Sequence, residues 1–260
     1  MTQPKFSIIT PSFNQAKFIE STILSVLGQP GVDIEYIIID GGSTDGSVEI
    51  IQKHADKLAF WVSEPDDGQT DAINKGFNRA RGEIFAWINS DDTYEPGIFE
   101  HVAAFFEDNP DIGLVYGEAF FIDDQGHRIG VFPAAKTNLG KLKNGYVHIP
   151  QQAAFFRGDL WQKVGPLDPD FYFAMDYDLW VRLARVTKIA YLPNQFWANF
   201  RLHTSAKTIA ADDRCWPEMI KVHYRDGGSF FAPIIAKYYL RKLLAPFITW
   251  NRARKLRRIE

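Results

Sequence analysis

The chain has 260 residues, 46% hydrophobic and 23% charged, which suits one large α/β domain or two small ones with a sizeable core and excludes wholesale disorder. A single cysteine, Cys215, excludes an intramolecular disulfide and any cysteine-rich zinc module. The formal charge of −3 is uneven: residues 237–260 carry eight Lys and Arg against Glu260, a net +7, which leaves −10 on the rest. An acidic body with a basic tail points to two partners of different character, and no nucleic acid is expected among them.

In chain order, Phe6–Thr10 is a short β-branched and aromatic run that predicts a buried strand, with Pro11–Asn14 as a loop. Apolar spacing at Phe18, Ile19, Ile23, Val26 and Leu27 predicts an amphipathic helix over 17–27. Tyr36–Ile39 reads as a second strand ending at Asp40, followed by a small-residue loop, Gly41–Gly46, and a helix over Ser47–His54. Leu58–Val62 is a third strand, Ser63–Gly68 a loop, and residues 70–80 a helix capped by Thr70 or a neighbour. Ile84–Ile88 is a fourth strand that ends in Asn89-Ser90-Asp91-Asp92; a helix over 96–107 and a strand over Gly113–Tyr116 come next. This alternation implies parallel pairing and a doubly wound sheet, whose ligands bind outside the carboxyl ends of the strands. Asp40, Glu64–Asp67 and Asn89–Asp92 all fall there.

The second half is less regular. Phe120–Ile122 and Arg128–Phe132 flank a hairpin-like turn. Ala153–Arg157 predicts a strand and Leu160–Val164 a short helix. Asp178–Arg185 predicts a helix with Asp176 or Asp178 placed to cap it, and Lys188–Leu192 a final strand. Trp61, Trp161, Trp180 and Trp197 are read as core rather than as sugar platforms.

Two adjacent carboxylates in a strand-end loop, Asp91 and Asp92, are costly unless solvated or neutralised by a cation. Hard oxygen donors suit Mg2+ or Mn2+, which bridge to a diphosphate; the same residues also suit a plain acidic turn. Asp40 ahead of Gly41-Gly42 can accept from a ribose or a base N–H; alternatively, Asp40 and Asp45 cap the adjoining turn and helix. Neither a Walker loop nor Gly-x-Gly-x-x-Gly is present.

Together these segments resemble the family 2 glycosyltransferases, which have the GT-A fold. The resemblance rests on Ser7–Asn14, Ile38–Gly46, Asn74-Lys75-Gly76 with Ala80-Arg81-Gly82-Glu83, Asn89–Asp92, and Gly165–Asp168 with Met175–Trp180, over roughly residues 5–210. It implies an α/β fold: a Rossmann-like nucleotide-binding half with a mixed central sheet, plus a C-terminal amphipathic helical segment. The implied organisation is a glycosyltransferase domain over 1–228, with a nucleotide-sugar-binding half (1–117) and an acceptor-binding half (118–228), then a basic helical tail over 229–260. Thr10, Pro11, Asp40, Asp67, Lys75, Asn89 and Ser90 would bind the nucleotide-sugar, with Asp40 facing the base. Asp91 would ligate Mn2+ or Mg2+, and His203, in Arg201-Leu202-His203-Thr204-Ser205, would join it at the metal or diphosphate. Asp176 would be the general base, or alternatively a helix N-cap. Gln151, Gln152 and Asp178 are candidate acceptor contacts.

The implied activity is inverting transfer from a UDP-sugar to a hydroxyl of a glycan or polyprenyl-linked acceptor, of the bacterial surface-glycan type. The alternatives are a dTDP- or GDP-sugar donor, a nucleotidyltransferase, or a non-catalytic nucleotide-sugar binder. Departures exist: Asn89 stands where the family's metal motif has its first acid, Ile73 replaces a frequent Arg, and the Gln-x-x-Arg-Trp motif of processive synthases is absent.

The N-terminal apolar run is too short for a signal peptide, and Phe230–Trp250 is interrupted by Lys237, Arg241 and Lys242, a poor membrane span. Pro233 and Pro246 would limit or kink a helix there. A basic, aromatic-rich amphipathic segment suits the interface of an anionic membrane. The expectation is a cytoplasmic protein held peripherally at the inner face of the cell membrane, with a homodimer through the tail as the other use of that segment.

Overall fold

The computed structural model describes residues 3–203 and 215–256, with residues 245–256 described by their backbone path alone. Four of the predicted strands form a parallel set: β1 (Phe6–Ser12), β2 (Ile34–Asp40), β3 (Phe60–Ser63) and β4 (Ile84–Trp87), in the order β3-β2-β1-β4. Parallel neighbours need crossovers, and α1 (Ile19–Leu27), α2 (Ser47–Lys53) and α3 (Gln69–Phe77) supply them. The register aligns Ser12 with Asp40 and Asp40 with Ser63, so the carboxyl ends of three strands lie in one row.

The sheet is not parallel throughout. β8 (Ala154–Arg157) runs antiparallel between β4 and β6 (Ile112–Ile122), and β6 pairs in parallel with β9 (Lys188–Arg201). The short β5 (Thr93–Tyr94) closes the far edge against β9, and β7 (Arg128–Val131) forms the predicted hairpin with β6. The result is one mixed nine-stranded sheet. The boundary expected at 117/118 falls inside β6, so the two halves share that sheet.

Alternation along the strands makes two apolar faces. Ile9, Ile37, Ile39, Trp87 and Phe156 meet Ile73 and Phe77 of α3, Trp161 of α6 (Asp159–Val164) and Trp180 of α7 (Met175–Val186). Phe6, Ile8, Ile38, Phe155 and Trp197 meet Ile19 and Ile23 of α1 and Phe99 of α4 (Ile98–Asp108). Trp161, Trp180 and Trp197 are buried, as expected of core residues, and Trp61 packs partly buried against the second face.

Several boundaries differ from expectation. β6 and β9 are far longer than the predicted Gly113–Tyr116 and Lys188–Leu192, because each supplies the other's hydrogen-bonding ladder through register shifts near Glu118 and past Asn194, whose φ is 61°. Polar residues there break the apolar pattern but not the pairing. β5, α5 (Leu139–Lys143) and α8 (Cys215–Arg225) have no predicted counterpart. Thr70 does not cap α3: the helix starts after Gly68, and Thr70 is buried, its Oγ1 3.0 Å from Met175 Sδ. Neither Asp176 nor Asp178 caps α7, which opens at Met175 after Ala174.

The tail is helical as expected. α9 (Pro233–Leu256) opens on Pro233, a residue suited to a first turn, and its path continues past Pro246. Ala232, Ile234 and Ile235 bury against Trp216, Met219 and Ile220 of α8. Among the described residues, no helix is long and apolar enough to cross a membrane.

The Arg81-Gly82-Glu83 motif is architectural. A Cβ on Gly82 would sit 2.5 Å from the Ser7 nitrogen, so only glycine lets this turn lie on β1. Beside it, Glu35 is buried and accepts from Ser7 Oγ (2.6 Å), Arg81 N (2.6 Å) and Arg81 Nε (2.8 Å). Burial opposes its ionisation, but these donors and the Arg81 charge outweigh burial and hold the carboxyl below the usual glutamate range. A lowered folded-state pKa confers stability that is full above the ordinary glutamate value and is lost as pH falls through the lowered one. Glu35→Gln is therefore expected to destabilise the protein by about 1–3 kcal/mol at neutral pH. The gap to wild type should narrow below about pH 4, as chemical denaturation across pH will read.

Candidate active site

The loop after β4 is organised by a buried carboxyl group. Asp92 is fully buried; its Oδ1 accepts from Arg201 N (2.8 Å), and its Oδ2 from Gln152 Nε2 (3.2 Å) and Asn89 Nδ2 (3.3 Å). Burial, and then the neighbouring Asp91, push its pKa well above the usual aspartate range. Asp91 faces the other way, with its Oδ2 3.0 Å from His203 Nε2. Arg201 stitches the loop to the sheet end, donating from Nε to Asp91 O (2.8 Å) and from Nη1 to Asp123 O (2.9 Å). Phe18, at the start of α1, lies under both groups: the His203 ring is 4.8 Å and the Arg201 guanidinium 4.9 Å from its centre.

The Asp91–His203 pair fits a divalent cation. The carboxylate and imidazole are in direct hydrogen-bond contact at 3.0 Å, so both side chains converge on one point where they would hold such an ion. The carboxylate oxygen suits Mg2+ or Mn2+, and an imidazole beside it favours the softer Mn2+ of the two. Among the described residues no group of three or more His, Cys, Asp or Glu is placed to hold a metal, so the remaining ligands would be substrate oxygens and water.

Asn89 explains its own departure from an acid. Its Oδ1 accepts from Gln69 Nε2 (2.7 Å), and its Nδ2 donates to Asp92 and to Gln151 Oε1 (3.4 Å). An ionised carboxylate there has no hydrogen to donate to Asp92 or Gln151 and would add negative charge beside Asp91 and Asp92. Gln69 opens α3, and Thr70 beside it meets Met175 at the start of α7, so the chain of contacts runs from the Asp91 loop to Asp176. Asp176 is half-buried in the first turn of α7, its Oδ1 2.7 Å from Tyr177 N.

The loops after β1 and β2 are tied together: Asn14, at φ 52°, accepts from Thr44 N, while Gln15 N and Ala16 N donate to Ser47 and Asp45. Asp45 thus holds both loops, and its Oδ1 accepts from Ser47 at the start of α2. Asp40, expected to face the base, sits at the end of β2. It is fully buried and accepts from Gly42 N, Ser43 N and Ser63 Oγ on Oδ2 and from Ser43 Oγ on Oδ1, which shapes the loop. Thr10 is likewise buried, against the Tyr36 hydroxyl at 3.0 Å, and Pro11 is buried within β1; the residue exposed at that strand end is Phe13.

This architecture agrees with known proteins. The family model described as "Glycosyl transferase family 2" matches residues 7–163. The chain belongs to glycosyl transferase family 2. This glycosyltransferase is 30% identical over 217 residues to an uncharacterized glycosyltransferase of Rickettsia typhi, covering 80% of this chain and 67% of that one. It is also 30% identical over 186 residues to the PGL/p-HBAD biosynthesis glycosyltransferase of Mycobacterium bovis, covering 70% of each. Among solved structures, residues 1–349 of S. aureus TarS in complex with UDP-GlcNAc align with a TM-score of 0.71 at 16% identity, covering 93% of this chain and 73% of that one. The mannosyltransferase PcManGT of Pyrobaculum calidifontis, in complex with GDP-Man and Mn2+, aligns with a TM-score of 0.64 at 18% identity, covering 93% and 71%. The fold of the glycosyltransferase is GT-A, as the sequence resemblance implied, and the nucleotidyltransferase alternative is set aside.

Of the acceptor candidates, Gln151 is half-buried beside Asn89, with its Nε2 on Trp87 O (2.7 Å). Gln152 is buried, and its Nε2 donates to Asp92 Oδ2 at 3.2 Å. Asp178 is fully buried and ion-paired with Arg182 (2.9 Å) and with Arg225. Lys75 lies between Asp71 (3.1 Å) and Glu64 (3.3 Å), whose charges raise its pKa; Asp67 is exposed on the same loop, and Ser90 is buried. Arg201 and Gln69 were missed in sequence, although Arg201 sits two residues before His203. Thr204 and Ser205 of the predicted His203 loop lie outside the described residues.

The two adjacent aspartates therefore have different tasks. Asp92→Ala leaves Arg201 N, Gln152 and Asn89 without their acceptor, and is expected to cost about 1–3 kcal/mol for the orphaned donors. Asp91→Ala removes a partly exposed carboxylate and is expected to leave the unfolding midpoint close to wild type. Thermal melts of the two variants check this; an equal loss from both would assign Asp91 a structural role.

Proposed function

We propose that this glycosyltransferase moves a sugar from a nucleoside-diphosphate sugar, UDP being the favoured nucleotide, to an acceptor hydroxyl, with inversion at the anomeric carbon. The observation that carries this reading is the outward-facing Asp91–His203 pair at the strand ends, joined through Asn89, Gln69 and Thr70 to the helix start that bears Asp176. Asp91 and His203 would hold Mn2+ or Mg2+. A divalent cation bound there supplies charge neutralisation for the departing diphosphate. Asp176 takes the proton of the attacking hydroxyl as general base. Direct attack requires no covalent nucleophile on the enzyme. Lys75 and the backbone of the Gly41–Gly46 loop are the groups offered to the phosphates and nucleotide, with Ser12 and Phe13 at the strand end beside them.

The relatives favour a surface-glycan acceptor: one is named for PGL/p-HBAD biosynthesis, and the TarS complex holds UDP-GlcNAc. The PcManGT complex, with GDP-Man and Mn2+, supports the cation and keeps a GDP-sugar as the alternative donor. The test is a panel of UDP-, dTDP- and GDP-sugars, scored by nucleoside diphosphate release with and without EDTA. EDTA is expected to abolish release, and Asp176→Asn to lower it about 10²–10⁴-fold with donor affinity unchanged. Full turnover in EDTA would remove the cation from the reading, and full turnover by Asp176→Asn would remove the base.

The tail supports docking at a membrane surface as part of this reading. The first turns of α9 bury Ile234 and Ile235, whereas Tyr239, Leu240 and Leu243 are exposed on the far side, Leu243 at 77%; Phe231 just before the helix is 92% exposed. The sequence repeats the Leu240 and Leu243 spacing at Phe247 and Trp250, and the net charge of +7 complements anionic lipid. Such docking at the cytoplasmic face would bring the active site to a polyprenyl-linked acceptor. Full-length protein is expected to co-sediment with phosphatidylglycerol vesicles at low salt, and the Leu240→Glu/Leu243→Glu variant to lose at least about tenfold in binding. If the variant instead dissociates a solution dimer while neither protein sediments, the face is a contact between copies.

A further inference from the structure

The sequence motifs of the acceptor side, Gly165–Asp168 and Met175–Trp180, leave the segment between them unexplained, and the structure shows what holds it. α7 begins without a capping side chain, since its N-cap residue is Ala174. The acceptor for the amides at that point comes from another helix. Glu218 of α8 accepts from Phe173 N at 2.7 Å and from Ala174 N at 2.9 Å, both on Oε2.

Glu218 is not alone. Lys221 pairs with Asp170 at 2.9 Å, and Arg225 pairs with Asp168 at 3.2 Å and with Asp178. The Lys221 ammonium is 5.1 Å and the Arg225 guanidinium 5.2 Å from the centre of the buried Phe171 ring. Residues 218, 221 and 225 recur at spacings of three and four, which puts them on one helical face. That face grips the whole segment from Asp168 to Ala174. α8 in turn is anchored by Val222 in the core, by Asp226 to Arg185, and by His223 to the Lys143 carbonyl.

We infer that α8 is a clamp that fixes the first turn of α7, and that Glu218 is the positioning residue for Asp176. The inference rests on the proposed role of Asp176 as base. Asp176 lies two residues beyond the second amide that Glu218 holds, so the carboxylate's aim at an acceptor hydroxyl is set by where that turn starts. Displacement of a reacting group by about 1 Å can cost up to about 10²-fold in rate. Asp176 and the Asp91–His203 pair stand on different elements, and the clamp fixes one side of that separation.

The test uses the full-length chain and three variants: Glu218→Ala, Glu218→Gln and Asp176→Asn, with the Glu218→Ala/Asp176→Asn double variant. Glutamine keeps an oxygen that accepts from both amides; alanine does not. Turnover is read as nucleoside diphosphate released by the donor hydrolysis reaction, in which water takes the acceptor's place, from the UDP-, dTDP- and GDP-hexoses of the panel. Glu218→Ala is expected to lower kcat about 10–100-fold with donor affinity unchanged, while Glu218→Gln stays within about threefold of wild type. In the Asp176→Asn background, Glu218→Ala is expected to add less than about twofold, because a residue acting through another has nothing left to position.

Hydrogen exchange over residues 168–178 provides a readout independent of turnover: the amides of 173 and 174 are expected to exchange at least about tenfold faster in Glu218→Ala and unchanged in Glu218→Gln. Equal exchange in all three proteins overturns the clamp. Faster exchange with additive losses in the double variant overturns the positioning of Asp176 and leaves only a structural contact. Full turnover by Asp176→Asn alone is the separate failure of the base assignment, visible without any Glu218 variant.

Discussion

The buried carboxyl of Asp92 sits where four parts of the chain must agree. A group of this kind, removed from water, is tolerated only with its hydrogen-bonding capacity met. Its donors come from β9 through Arg201 N, from the turn before β8 through Gln152, and from its own loop through Asn89. Those donors lie together only when the second half of the sheet has closed on β4. Meeting this constraint turns Asp91 outward, beside His203. Two adjacent aspartates thus have opposite environments: one is fully buried with its oxygens met by internal donors, the other is partly exposed beside His203.

The neighbouring residues obey the same constraint. Asn89 both accepts from Gln69 and donates to Asp92 and Gln151, which an ionised carboxylate cannot do. Arg201 takes hold of backbone carbonyls rather than carboxylates, so its charge stays near the Asp91 loop while its hydrogen bonds hold the end of β9 in place. Phe18 gives that strand end a flat surface from the other side of the loop. On the acceptor side the order is different. There the helix start is held by charged residues of α8, an element that comes after the sheet in sequence and packs back over the segment between its two motifs.

Most of the parallel half was legible because each strand there is a short apolar run ending in small or acidic residues, with an amphipathic helix next. The motif residues were legible as a set, but their individual tasks were not. Asp40 reads equally well as a ligand contact or as a loop anchor, and only the fold shows that Ser63 arrives from β3 to bond it. Asp178 reads as part of an acceptor motif, and it is a buried ion-pair partner because Arg225 reaches it from α8. Gln152 is bonded in the same way to Asp92.

The sequence by itself determined the α/β class, the family, the order of the parallel strands' elements, the carboxylates at the strand ends and the helical basic tail. These depend on local periodicity and on residue types within a few positions of one another. Only the tertiary structure decided which of two adjacent aspartates faces outward, why Asn89 replaces an acid, how far β6 and β9 extend, and what holds the start of α7. Each of those depends on a partner far away in the chain: 109 residues separate Asp92 from Arg201, and 44 separate Ala174 from Glu218. A hydrogen bond across such a span leaves no periodic trace in the sequence, because neither partner's neighbours need to change for the bond to form.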